Sequence, residues 1–100
     1  MMAFLRAEGA FVLYREEMFA RLQWRIEHAP SKKSLAACRT LAQAEQLLTY
    51  LIAVEVAHPQ EVRSADFLNW VQQHQALPEV CRLRDAWNRL ASGRSLVVEP

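Results

Sequence analysis

The sequence predicts an all-α chain, a four-helix domain built on a long antiparallel hairpin, and three observations carry that prediction. Hydrophobic residues make up 52% of the chain while Gly is only 2 and Pro only 4, a balance that favours helices with short connections over a turn-rich β fold. The stretch from Leu35 to Ala57 is rich in apolar residues and holds neither Gly nor Pro. Near the start, apolar pairs recur every seven residues: Phe4 and Leu5, Phe11 and Val12, Met18 and Phe19, then Leu22 and Ile26. With 100 residues there is room for one domain and one modest core.

The first helix is expected over about residues 2–28, because the seven-residue recurrence suits packing along a near-parallel or antiparallel neighbour. Glu8 and Arg15 interrupt its apolar stripe, and a charge there needs a partner or a place at the rim. Leu13, Ala20 and Trp24 form a thinner second strip, with Trp24 the first residue to test for a partner contact. Gly9 either permits close helix approach or marks frayed first turns. Pro30 disfavours helical geometry at Ala29 and so ends the element near His28.

The second helix is expected over about 34–58, capped by Ser31 or Ser34. Its apolar residues spread over roughly 200°, wider than one packing neighbour requires. Glu55 falls in the middle of that arc, near a helix C-terminus that also disfavours negative charge. In an antiparallel hairpin turning near residue 31, facing positions sum to about 62, which brings Glu55 near Glu8. Glu8, Arg15 and Glu55 are therefore the buried ion-pair candidates, with Arg6, Arg63, Arg82 or Arg84 as possible arginine partners for the two acids; a proton shared between the two carboxylates is the alternative.

Two shorter helices follow, over about 60–76 and 78–92. Phe67, Trp70, Val71 and His74 recur at helical spacing, and Pro78 with Glu79 is a good N-terminal pattern. Val80, Leu83, Trp87 and Leu90 make the apolar row of the last helix, Gly93 stops it, and 93–100 is an extended tail.

Charge and motifs limit the chemistry. The formal net charge is +1, with 12 basic against 11 acidic residues, which argues against a protein that coats nucleic acid or a membrane surface. Ten of the basic residues are Arg. Two cysteines, Cys38 and Cys81, suit a reducing compartment, no stretch has the length or apolarity of a membrane span, and a cytoplasmic location is expected. No glycine-rich phosphate loop, Cys-x-x-Cys, His-Glu-x-x-His or nucleophile elbow occurs. No cofactor and no catalytic residue is expected. Glu55-Val56-Ala57-His58 has the Glu-x-x-His spacing of carboxylate bundles, a minor alternative that Pro59 weakens by drawing His58 out of helical geometry.

The functional expectation is a non-enzymatic protein-interaction module: a small adaptor, chaperone-like or inhibitory regulator. It would act through an apolar helical face as a homodimer, with a heterologous protein as a possible partner and no membrane contact. Leu13, Trp24, Phe4, Phe11 and Met18 are the expected partner-binding residues. The alternative is a nucleic-acid-binding regulator, whose anion or nucleic-acid candidates are Lys32 and Lys33 at a helix start, Arg39, and Arg82, Arg84 and Arg89 of the last helix.

Overall fold

The computed structural model, which describes residues 1–92, overturns the all-α prediction. The first forty residues form a four-stranded antiparallel meander in the order β1-β2-β3-β4: β1 Met2–Glu8, β2 Phe11–Met18, β3 Arg21–His28 and β4 Lys33–Cys38. Helices come after it: α1 Leu41–Ala57, α2 Pro59–Val62, α3 Phe67–Gln73 and α4 Pro78–Leu90. The chain is thus a mixed α/β fold, not a helical bundle. The expected tail over 93–100 lies outside the described residues.

The helix expected over 2–28 is three strands because period two, not period seven, matches burial. In β2, Phe11 and Leu13 are buried while Val12 and Tyr14 are only half-buried. They register against His28 and Ile26 of β3, and Ile26 in turn against Ala36 of β4, so one sheet face is continuous core. The adjacent pair Phe11 and Val12 that looked like part of a helical ridge therefore splits across the two faces. Burying side chains such as Phe11, Leu13 and Ile26 contributes roughly 1.5–3 kcal/mol each, enough to override the Leu, Met, Arg, Glu and Gln that favour helix in these strands.

Turns fall every ten residues or so. Gly9 at φ 56 opens the β1–β2 turn, Phe19 at φ 57 opens the β2–β3 turn, and the β3–β4 loop contains Pro30 and ends on Lys32, also at φ 57. Only Gly adopts this left-handed region without steric cost.

The expected 34–58 helix is two elements. Ser34 to Cys38 belongs to β4, and the cap is Thr40, not Ser31 or Ser34: its side chain accepts from the Gln43 N–H at 3.1 Å. Such a cap contributes about 1 kcal/mol. Ala44, Leu47, Leu48, Leu51 and Val54 are buried, and α1 sits between the sheet, which it meets at β3 and β4, and α4. The wide apolar arc is used on both sides.

The expected 60–76 helix breaks into α2 and α3, with Ser64 Oγ accepting from the Asp66 N–H at 3.1 Å between them. Phe67 of α3 reaches the sheet, packing edge-on against Phe11 at 5.9 Å and against the His28 ring at 4.9 Å. The last helix begins at Pro78 as its sequence pattern requires, and it buries Val80, Leu83, Trp87 and Leu90. Just beyond it, the Ser92 N–H donates to Ala37 O at 2.7 Å, joining the chain to the outer edge of β4. Among the described residues, no helix is long and apolar enough to cross a membrane.

Candidate functional site

The strands place two unlike sites at opposite ends of the sheet. At the end holding the Gly9 turn, the carboxylate of Glu55 is only 6% exposed and accepts the Ala10 N–H at 2.9 Å and Arg63 Nε at 3.1 Å. Gly9 leaves the room for it: a Cβ there would stand 2.0 Å from Glu55 Oε1. Arg63 is 67% exposed, so the ion pair is half in water and the backbone hydrogen bond is the stronger structural tie. Glu8, Gly9, Glu55 and Arg63 line one open cavity of about 500 Å³.

Beside it, His28 is fully buried between Phe11 and Phe67. Its Nε2 is 2.5 Å from Val62 O and its Nδ1 is 2.7 Å from Ser31 Oγ. Only the Nε2-protonated tautomer donates to that carbonyl, leaving Nδ1 to accept from the serine hydroxyl. Burial pushes its pKa below the ordinary histidine value, against the Val62 hydrogen bond and the Glu55 charge, which favour protonation.

At the other end, apolar side chains stand in water. Phe19 at the tip of the β2–β3 turn is 103% exposed and Phe4 is 61% exposed, with Met2, Leu5, Met18 and Leu22 also exposed. All seven residues of β1 are exposed, and its outer edge is free among the described strands. A register shift between Phe4 and Arg6 makes an irregularity at Leu5. Phe4 meets Tyr14 edge-on at 6.2 Å on the sheet face away from the helices.

That outer face also carries a polar ladder. Glu16 is buried and receives Arg25 Nε at 3.2 Å, another Arg25 guanidinium nitrogen at 2.9 Å and Gln23 Nε2 at 2.5 Å, while Arg25 donates onward to Ser34 Oγ at 2.6 Å. The Arg25 hydrogen bonds, and then that from Gln23, hold the Glu16 carboxyl below the usual carboxylate range. The ladder joins β2, β3 and β4.

The expected site residues are divided by this arrangement. Of the partner-binding set, Phe4 and Met18 are exposed and Trp24 is half-buried against the core, but Phe11 and Leu13 are fully inside and present nothing to a partner. Alternation along β2 is the physical reason. Of the ion-pair set, only Glu55 is buried. Glu8 pairs with Arg6 at 3.4 Å and Arg15 with Glu17 at 2.9 Å, all at the surface. Among the arginines weighed for Glu55, Arg63 is the one that meets it.

Apart from Arg39 and Arg89, which line one cavity, the basic candidates are scattered. Lys32 and Lys33 lie at one end of the β3–β4 hairpin, in and after its loop rather than at a helix start, and Arg39 lies at the other end, beside α1. Arg84 contacts Gln75, Cys81 and Asp85. Glu55 and His58 of the Glu-x-x-His motif have different partners, His58 bonding Glu79. The described residues contain no group of three His, Cys, Asp or Glu able to hold a metal ion. Both cysteines are free, and burial lifts the Cys38 thiol to about 11, far from a reactive thiolate.

Sequence reasoning missed Phe19 and Leu22 as surface residues and Arg21 as a neighbour of Arg39. The available signal was the spacing of turns between short apolar runs, with Gly9 and Pro30 as two of its markers. Comparison with family models, curated proteins and solved structures gives no match to this chain.

Proposed function

We propose that the chain is a non-enzymatic protein-interaction module that uses the apolar rim of its sheet, in the first instance to pair with a second copy of itself. The observation that supports this reading is the exposure of Phe4 and Met2 on the edge strand β1 together with Phe19, Met18 and Leu22 at the β2–β3 turn. Lone exposed apolar residues are ordinary, but a group of them beside an unpaired strand edge is the surface a partner covers. β1 offers unused backbone N–H and C=O groups for strand addition. A two-fold axis lets that same strand serve on both sides, so one surface suffices.

The charged Arg6 and Glu8 and the irregularity at Leu5 restrict the register, which favours a specific pair over open-ended stacking. The non-enzymatic part of the reading is supported by the histidines. His28 is held by Val62 and Ser31, His58 by Glu79, and His74 Nδ1 lies 2.8 Å from Trp70 O, so each has a structural partner.

Sedimentation velocity at micromolar concentrations tests the pairing. The expected result is a concentration-dependent dimer that Phe4→Asp and Phe19→Asp each shift to monomer while circular dichroism stays unchanged. A wild-type chain that remains monomeric throughout would overturn it.

A further inference from the structure

We propose that the cleft between the β2–β3 turn, the β4 edge and the start of α1 is a binding site for a phosphate group, with Arg21, Arg39 and Arg89 as its anion ligands. Two adjoining cavities define it. One, of about 480 Å³, is lined by Arg21, Gln23, Arg25 and Arg39, with Ser92 at its wall. The other, of about 310 Å³, is lined by Arg39, Gln43 and Arg89, again with Ser92. Among the described residues, neither is lined by a carboxylate. Three arginines thus gather where the chain as a whole is nearly neutral.

The state of those arginines distinguishes them from all the other described arginines but Arg82, which lines neither cavity and sits by the charge of Glu79. Arg6, Arg15, Arg25, Arg63 and Arg84 each have an acidic partner within 4 Å. The side chains of Arg21, Arg39 and Arg89 make neither ion pair nor hydrogen bond among the described residues. Asp85, one turn before Arg89, pairs with Arg84 instead. Arg25 is turned to Glu16 and Ser34 and so serves as a fixed wall.

Two further features of the same cleft favour an anion. The 17-residue helix α1 starts at it with no acid in its first turn, so the positive end of its dipole is not neutralised from within. Gln43 Oε1 is the one buried side-chain polar atom without a partner among the described residues. Rotation of that amide by half a turn puts Nε2–H donors in its place, and an anion oxygen would accept from them. Planar guanidinium groups along two adjoining cavities that share Arg39 suit the tetrahedral oxygens of phosphate better than a point ammonium would.

The phosphate could belong to a nucleic-acid backbone or to a small phosphorylated molecule, and the probes separate these. Pyrophosphate and a single-stranded oligonucleotide are each titrated into the full chain at low salt and followed by calorimetry, against Arg39→Gln, Arg89→Gln and the double variant. Because both side chains are exposed, circular dichroism should confirm an unchanged fold. Each substitution is expected to weaken binding about tenfold or more, as the loss of hydrogen bonds to a charged group does. Arg82→Gln, two turns away on α4, should leave it unchanged. Pyrophosphate binding alone assigns a small ligand; oligonucleotide binding that falls steeply with salt and is displaced by pyrophosphate assigns a backbone. Binding of neither probe, or binding equally tight in the double variant, overturns the site.

Discussion

The Gly9–Ala10 and Phe19–Ala20 turns share a backbone geometry and differ in everything around it. Each begins with a residue in the left-handed region, φ 56 at Gly9 and φ 57 at Phe19, and each reverses a strand in two residues. The first is locked: Ala10 is buried and its N–H is held by Glu55 across the fold. The second is bare, with an aromatic ring in water at a position where glycine or asparagine would be less strained. One turn therefore contributes stability, and the other gives up some of it to display a side chain.

Substitution at the locked turn should have the largest effect. Gly9→Ala meets Glu55 Oε1 and strains a positive φ together, so a loss of about 3 kcal/mol is expected by urea denaturation. A loss no larger than that of an ordinary surface change would mean that the Glu55 contact is not tight. Glu55→Ala comes next: it leaves the Ala10 N–H unpartnered, at a cost of about 1–3 kcal/mol. Glu55→Gln keeps an acceptor and should recover most of that, since Arg63, its ion-pair partner, is itself largely in solvent.

Acid sharpens the contrast from a different direction. Burial depresses the His28 pKa, so below the ordinary value of 6.5 the unfolded chain binds the proton more readily. Stability should decline as pH falls through that value towards the lower folded one. A second decline should begin near the ordinary carboxylate value of 4.5, where Glu16 starts to lose the benefit of its bonds to Arg25 and Gln23. Melting temperature against pH reads both, and His28→Gln should flatten the first.

The smallest expected effect on stability belongs to the bare turn. Phe19→Asn relieves a left-handed aromatic residue and should be neutral or stabilising within about 1 kcal/mol, yet weaken self-association. Marked destabilisation would show that Phe19 is a packing residue.

The sequence was legible where local rules and tertiary packing agree. Pro78 and Glu79 start α4, and the Val80, Leu83, Trp87, Leu90 row faces the core. Glu55 stood out as a misplaced acid, and Arg63 was among its possible partners. The meander was illegible because residues 2–28 contain only two β-branched residues, Val12 and Ile26, among many helix formers, and because neither residue of the Phe19–Ala20 turn is a customary turn residue. The proposed phosphate-site arginines were hidden for another reason: Arg21, Arg39 and Arg89 are far apart in the chain and come to two adjoining cavities only once β3, the β4–α1 link and α4 are placed.

The Ser92–Ala37 bridge also bears on how large an assembly the sheet can build. With Ala37 of β4 already engaged by Ser92, the described part of the sheet has an open flank at β1 and a partly occupied one opposite. A subunit with a single sticky side has a valence of one. Under the proposed pairing, joining two such units would use up that side on both and so favour a pair over a filament.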